Sequence, residues 1–188
     1  MLQGKRIAIL ATDGYEQSEL TEPLNQLRDA GAEVRIVSLE SGDIRGESNG
    51  QWGGTVPVDH TVDEVSADQF NALVIPGGLY NPDQLRANAK AVSFVRSMFD
   101  AKKPIAAICH GPWLLVEAGI ARGRKLTSYP SIRTDITNAG GLWVDEPVVV
   151  DQALITSRSP KDLEAFIAKI VEETREGKHE DRVTTKAA

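Results

Sequence analysis

The residue best placed to do chemistry in this sequence is Cys109, the only cysteine of the chain. It directly follows the apolar run 105–108, and an apolar stretch that begins at Trp113 comes soon after. Small residues stand two positions to either side, Ala107 before and Gly111 after. This is a cysteine form of the strand-turn-helix nucleophile elbow, where larger neighbours would collide. The pattern predicts a nucleophilic thiol whose pKa is lowered by a helix N-terminus.

Two alternatives remain open at this point. A free cysteine that ends a buried strand also occurs as a small core residue. The adjacent His110 either activates the sulfur, as in other Cys-His pairs, or simply caps the start of the helix.

A carboxyl group from the first strand end is the second candidate. Glu16 follows the first predicted strand, and a shielded carboxyl group there would have a raised pKa and could donate a proton near the sulfur. The alternative is an ordinary first-turn glutamate favoured by the helix dipole. Three further acidic residues fit the same description: Asp13, Glu19 and Glu22.

Two glycines after another strand are the third candidate. Gly77 and Gly78 follow Pro76 at the end of the apolar run 72–75. Glycines let backbone N–H groups approach a ligand closely, as an oxyanion hole requires. A plain turn is the alternative.

Metal and nucleotide sites find no support in the sequence. The chain has no CxxC pair, no GxGxxG after the first strand and no GxxxxGK[ST]. Its three histidines, at 60, 110 and 179, do not show ligand spacing. We therefore predict no metal and no cofactor.

Composition indicates a soluble globular protein. The chain has 188 residues, 41% hydrophobic and 26% charged, with a formal net charge of −6. The acidic balance argues against specific nucleic-acid binding and against an anionic membrane surface. No apolar stretch approaches the ~20 residues of a membrane span, and the run 7–11 is too short for a signal peptide. We expect a cytoplasmic protein with a reduced thiol, one domain over 1–176 and a polar, frayed tail over 177–188.

Strands and helices alternate along the chain, which predicts an α/β fold with a mostly parallel sheet covered on both faces. Ligands bind such sheets where strands end and helices begin, here at 12–17, 76–80 and 109–112. An Asn49-Gly50 hairpin interrupts the alternation. The predicted strands are 5–10, 34–39, 72–75 and 105–108, with short runs at 142–144, 148–150 and 153–155; the predicted helices are 18–30, 91–101, one from about 110, 134–139 and 160–174.

Five segments together resemble the PfpI family of intracellular proteins, part of the superfamily of Parkinsonism-associated deglycases and class I glutamine-amidotransferase-like domains. They are ATDGYEQSEL, LVIPGG, AAICHGPWLL, GRKLTSYP and WVDEPVVVD. The resemblance extends from about Lys5 to Val171. It implies a flavodoxin-like three-layer α/β sandwich with a reactive cysteine on a nucleophile elbow.

The resemblance also assigns roles by position. It implies that Cys109 is the nucleophile, that Glu16 is the buried glutamate bonded to the sulfur, and that His110 completes a Cys-His pair. The oxyanion hole would consist of Gly78, beside Gly77, and the backbone amide of His110.

Family members are similar in forming dimers or larger rings. In these an acidic residue after PGG reaches the histidine of the neighbouring subunit, and Asp83 stands at that position. The peptidase-named members have glutamate there, so Asp83 is shorter by one methylene group.

The function implied is that of a cofactor-independent cysteine enzyme for reactive carbonyls in a stress response. It would convert methylglyoxal to lactate, or remove early glycation adducts from proteins or nucleotides. One alternative is an intracellular cysteine peptidase, and another is a non-enzymatic redox sensor or chaperone in which Cys109 is oxidised.

Overall fold

A central seven-stranded sheet organises the chain in a computed structural model that describes residues 1–180 and 182. The strands in this described part of the chain are β1 (Arg6–Leu10), β2 (Tyr15–Glu16), β3 (Glu33–Ser38), β4 (Asp43–Ser48), β5 (Gln51–Pro57), β6 (His60–Thr61), β7 (Ala72–Ile75), β8 (Ile105–Ile108), β9 (Lys125–Leu126), β10 (Leu142–Trp143), β11 (Val148–Asp151) and β12 (Leu154–Ser157). The six α-helices are α1 (Gln17–Asp29), α2 (Tyr80–Arg86), α3 (Ala89–Asp100), α4 (Trp113–Glu117), α5 (Arg133–Asn138) and α6 (Leu163–Glu176).

The strand order of the central sheet is β11-β12-β8-β7-β1-β3-β6. Every neighbouring pair is parallel except β11 and β12, which are antiparallel. The inner strands β7 and β8 are buried at every position, which explains their uninterrupted apolar sequences ALVI and IAAI. The small elements pair separately, β9 with β10 and β2 with β4 and β5.

Helices cover both faces of this sheet. On one face α1 and α6 pack together against one apolar cluster, in which Leu20, Leu24 and Leu27 form the stripe that predicted α1. On the other face α2, α3, α4 and α5 contribute buried side chains to a second cluster, among them Phe99 and Leu114. The predicted mostly parallel three-layer sandwich is confirmed.

Three local features differ from the sequence prediction. Helix α2 was not predicted. Its sequence contains Pro82, which is unfavourable within a helix, and only one strong apolar position, Leu85, which is too few for a helical pattern. Helix α4 is only one turn long. Helix α6 begins at Leu163, after a 3₁₀ turn over Pro160–Asp162 that Ser159 precedes without a side-chain cap. The Asn49-Gly50 hairpin is confirmed, with positive φ angles of 53° and 77° at the two residues.

The described part of the predicted tail packs against the body of the protein. The His179 N–H donates to the Lys102 carbonyl oxygen at 3.1 Å. The guanidinium of Arg182, a residue only 3% exposed, donates to the carbonyl oxygens of Gln152 and Lys103. Residues 177–180 and 182 are therefore not frayed, and the rest of the predicted tail lies outside the described residues. Among the residues described, no helix is long and apolar enough to cross a membrane.

Candidate active site

The three strand ends singled out by the sequence meet at one edge of the sheet. The order β1-β7-β8 and their parallel pairing bring their carboxyl ends together. The loop before α1 and the loop that carries Cys109 are not on adjacent strands, because β7 lies between them. Any contact between those two loops must pass over the Pro76-Gly77-Gly78 segment.

Cys109 occupies the predicted elbow. Its φ of 62° lies in the left-handed region, which costs a non-glycine residue about 1–3 kcal/mol and marks strained functional positions. The turn is held by two backbone hydrogen bonds, from the Cys109 N–H to the Ser157 carbonyl at 3.0 Å and from the Tyr129 N–H to the Cys109 carbonyl at 2.8 Å. A Cβ at Gly111 would lie 2.7 Å from the Ile75 carbonyl oxygen, so the predicted small neighbour is required.

The carboxyl group beside the sulfur belongs to Glu19, and the prediction for Glu16 is wrong. Glu16 is half-buried and forms the N-cap of α1, where its Oε2 accepts hydrogen bonds from the Glu19 N–H at 3.0 Å and from the Ser18 hydroxyl. Glu19 is completely buried, and its Oε2 accepts a hydrogen bond from the Gly77 N–H at 2.8 Å. Its Oε1 has no conventional partner among the described residues, and the carboxyl group interacts with the Cys109 sulfur.

A sequence signal for Glu19 existed. Position 19 lies four residues before the buried Pro23 and eight before the buried Leu27, on the helix stripe that faces the core. A glutamate on that stripe is unusual, since charged residues are rarely fully buried. Glu16 precedes the first helical residue and so lies at the cap.

Burial controls the protonation of this pair. Burial, with the nearby charge of Glu16 second, raises the pKa of Glu19 to about 8, so its carboxyl group is mostly protonated at neutral pH. Burial also raises the pKa of the Cys109 thiol, with the Glu19 charge as a second cause; the N–H groups of Gly78 and His110 act in the opposite direction. The expected lowering of the thiol pKa is not found, because the effect of burial outweighs that of the two N–H groups.

His110 lies against the sulfur on the other side. Its Nδ1 is 3.2 Å from Cys109 Sγ, and its Nε2 is 3.0 Å from Ser131 Oγ. The ring stacks on Tyr129 and meets Trp113 edge-on, with centroids 4.9 and 5.1 Å apart. Burial lowers the pKa of His110, so the imidazole is neutral at pH 7 and can accept a proton from the thiol.

The two glycines after β7 occupy positions where no side chain fits. A Cβ at Gly77 would lie 2.5 Å from Cys109 Cβ and 2.6 Å from Glu19 Oε2, so the missing side chain opens the passage between those groups. Gly78 has a φ of +84°, and a Cβ there would lie 2.3 Å from the Gly14 carbonyl oxygen. The amides of Gly78 and His110 donate to the Cys109 sulfur, which places both near a carbonyl oxygen bound there.

Sequence reasoning missed Asn81, which joins two of the strand ends. Its side chain is fully buried; Oδ1 accepts from the Thr12 N–H at 2.8 Å, and Nδ2 donates to the carbonyls of Pro76 and Gly77 at 2.9 and 3.1 Å. No pattern pointed to this residue, because α2 itself was not predicted.

Asp83 lies apart from these groups within the chain. Its carboxylate is exposed and pairs with Arg86 Nη2 at 2.7 Å, and the Arg86 guanidinium lies 4.3 Å from the centre of the Trp113 ring. A role for Asp83 toward the histidine of a neighbouring subunit stays a prediction.

A possible metal-ligand group lies away from this site. Ligand atoms of Glu173, Glu176 and His179 lie within 4.8 Å of one another at the end of α6, next to the start of β8 at the opposite edge of the sheet. His179 Nε2 is 2.9 Å from Glu173 Oε2, the shortest contact that the structure gives within this group. The sequence prediction had not grouped these residues.

Comparisons with known proteins identify the family of the chain. The DJ-1/PfpI family model matches residues 5–173. The chain is 46% identical over 166 residues to the deglycase PfpI of Pyrococcus furiosus, covering 88% of this chain and 97% of that protein. It is 44% identical over 163 residues to protein/nucleic acid deglycase 2 of Escherichia coli, covering 86% and 93%.

A solved structure shows the same fold. A two-domain protein from Anabaena variabilis, with DJ-1/ThiJ/PfpI-like and ferritin-like domains, superposes with a TM-score of 0.87 at 36% identity, covering 96% of this chain and 52% of that one. From the family match and the curated relatives together, the chain belongs to the DJ-1/PfpI family.

Proposed function

We propose that this protein is a cysteine-dependent enzyme that acts on reactive carbonyl compounds. Its substrates would be a small aldehyde such as methylglyoxal or an early glycation adduct on a protein or nucleotide. The observation that carries the proposal is the placement of Cys109 between a neutral histidine and a protonated glutamic acid, with Nδ1 of His110 3.2 Å from the sulfur. A nucleophile with a base on one side and an acid on the other suits addition to a carbonyl.

The first step is addition of sulfur to the aldehyde carbon. The S–C bond forms as the carbonyl π bond breaks, and the thiol proton passes to His110 Nδ1. The oxygen that gains the electron pair lies near the N–H groups of Gly78 and His110, which stabilise its charge. Return of the proton from His110 to that oxygen gives a hemithioacetal and restores the neutral imidazole.

The second phase moves hydrogen between the two carbonyl carbons of methylglyoxal. A proton leaves the former aldehyde carbon and another is added at the ketone carbon, so the first is oxidised, the second is reduced and no external oxidant is consumed. A carboxyl group with a pKa of about 8 exchanges protons near neutral pH, which fits Glu19 for this transfer. Water then cleaves the thioester, releasing lactate and the free thiol.

The names of the relatives support this choice of substrate. Both curated relatives described above are named deglycases, and one of those names includes nucleic acid as well as protein. In an early adduct the sulfur would bond to the carbinol carbon as the bond from that carbon to the protein or nucleotide nitrogen breaks. The amine would leave with the proton taken from the thiol, and the product on the enzyme is the same hemithioacetal. We propose with it a cytoplasmic homo-oligomer, a dimer or a higher ring, without specific nucleic-acid binding.

The test is consumption of methylglyoxal and formation of lactate in metal-free buffer. Cys109→Ala should abolish turnover, and Ser97→Ala, which alters an exposed serine of α3, should match the parent. The proposal fails if the parent forms no lactate or if Cys109→Ala retains its rate.

Peptide cleavage is the second candidate, since a Cys-His pair at 3.2 Å also fits acyl transfer. Asp83→Ala separates the two functions. If the acid of a neighbouring subunit serves a peptidase, this variant should lose peptide cleavage and largely keep aldehyde turnover.

A further inference from the structure

His110 has a hydrogen-bond partner within its own chain that none of the predicted roles includes. The Ser131 hydroxyl lies 3.0 Å from Nε2, on the side of the imidazole ring opposite the sulfur. A base that accepts the thiol proton at Nδ1 must carry its own hydrogen at Nε2, because a neutral imidazole has one donor and one acceptor nitrogen. A hydroxyl can donate or accept, and Ser131 Oγ lies where this tautomer requires an acceptor.

We propose that Ser131 is the positioning residue of this site, holding His110 in the tautomer with hydrogen on Nε2 and Nδ1 free toward Cys109. The catalytic role of Ser131 in this inference rests on the proposed function, whereas its effect on the His110 tautomer does not. The arrangement resembles in logic the Cys-His-Asn sites, where an uncharged side chain orients the imidazole.

The segment that carries Ser131 is fixed to the elbow. Ser131 lies in the 3₁₀ turn Pro130–Ile132. On one side the Tyr129 N–H donates to the Cys109 carbonyl at 2.8 Å, and on the other Ile132 is 1% exposed in the core. The hydroxyl is therefore held against the ring by both flanks of its turn. Ser131 itself is exposed, so its hydroxyl proton can bond to solvent while Oγ accepts from Nε2.

An uncharged partner agrees with the electrostatics around the ring. Burial is the cause that lowers the pKa of His110, and no carboxylate among the described residues raises it. Within its own chain Asp83 pairs with Arg86. A neutral imidazole is the form needed here, because the buried thiol keeps its proton and requires a base.

Charged and titratable groups approach the ring from several elements, and each bears on a pH profile. Cys109 and Tyr129 contact the ring directly. Glu19 interacts with the Cys109 sulfur, and Arg86 and Asp135 contact Trp113, which packs against the ring. Substitution of Ser131 leaves all of them in place. A change in the profile on that substitution therefore reports on the hydroxyl.

The experiment compares Ser131→Ala, Ser131→Thr and the control Ser97→Ala. The first readout is the ¹⁵N chemical shifts of the His110 ring, assigned by their loss in His110→Ala. The parent should show hydrogen on Nε2, and Ser131→Ala should show a mixture of tautomers. The second readout is the rate of Cys109 alkylation by iodoacetamide against pH, which should fall in Ser131→Ala near neutral pH. Neither readout needs turnover, so both remain informative if the proposed activity fails.

Turnover of methylglyoxal is the third readout. Ser131→Ala should lower kcat about 10-fold, the effect of one lost hydrogen bond, with KM unchanged. Ser131→Thr keeps a hydroxyl and should recover most of this loss, which a purely structural role would not explain. The proposal is overturned if Ser131→Ala leaves both the tautomer and the alkylation profile as in the parent. It is equally overturned if Asp83→Asn, and not Ser131→Ala, shifts the tautomer.

Discussion

The two sides of Cys109 are built differently. The inner side, formed by Glu19, Gly77 and Asn81, is buried and tied to backbone groups of the strand ends. The outer side, formed by the His110 ring with Ser131 and Tyr129, opens to solvent; Tyr129 is 42% exposed. We infer that the inner side sets the protonation of the sulfur, and that the outer side positions the base and admits the substrate.

The largest effect is expected where the inner side is most crowded. Gly77→Ala would place a methyl group 2.5 Å from Cys109 Cβ and 2.9 Å from the Ile108 carbonyl oxygen. Overpacking of this kind costs about 1–3 kcal/mol in unfolding free energy. It should also separate sulfur from carboxyl and abolish turnover. Urea unfolding and methylglyoxal assays measure both effects. An active variant with parental stability would contradict the crowded inner side.

Glu19→Gln should be next in size. It removes the exchangeable proton while keeping an oxygen that can accept from the Gly77 N–H, so we expect a loss of about 100-fold in kcat with the fold intact. Glu16→Gln is the matched control, three residues away, and should stay within a few-fold of the parent. Equal losses in the two variants would remove the distinction between these carboxyl groups.

The same variant tests the pH dependence of stability. The pKa of Glu19 is raised from 4.5 to about 8 in the folded protein, so between these values the folded state binds more protons than the unfolded state. Stability contributed by this group is complete below pH 4.5 and falls as pH rises to 8, by at most ~1.4 kcal/mol per pH unit. Unfolding free energies at pH 5 to 8 should show this decline in the parent, and Glu19→Gln should lack it. Parallel profiles would count against a protonated Glu19.

Glu16→Ala is expected to act mainly on stability. It removes the side chain that caps α1, a loss of about 1 kcal/mol. Thermal unfolding should record a small decrease in Tm, with kcat changed less than by Glu19→Gln. A large kcat loss at unchanged Tm would return Glu16 to a catalytic role.

The smallest effect is expected on the outer side. Arg86→Ala removes an exposed ion pair with Asp83 and the contact with the Trp113 ring. Exposed pairs contribute at most about 1 kcal/mol, so stability should barely change. Because Arg86 flanks the open side of the site, any effect on turnover should appear in KM more than in kcat. A kcat loss as large as that of Glu19→Gln would show that the inner and outer sides of Cys109 do not act separately.

The sequence could predict the elements whose signals are local. The apolar runs of β7 and β8, the stripe of α1 and the small neighbours of Cys109 identify themselves by spacing. The choice between Glu16 and Glu19 required the position of the first residue of α1. Helix ends depend on cap geometry, which the sequence does not fix, and Glu16 and Glu19 are only three residues apart. The thiol pKa depends on burial by residues that are distant in sequence. Asn81 bonds to backbone groups that follow β1 and β7, which are also distant from it in sequence, so neither property has a local sequence signal.

Asn81 also constrains how such a protein could diversify. The side-chain amide of Asn81 bonds both to the backbone after β1 and to the backbone after β7. Exchange of either loop by recombination or design would therefore break hydrogen bonds that hold both strand ends. New substrate preferences are then more readily acquired by replacing Tyr129 or Trp113, which lie against the His110 ring on the open side of the site. Laboratory libraries aimed at altered selectivity should begin there.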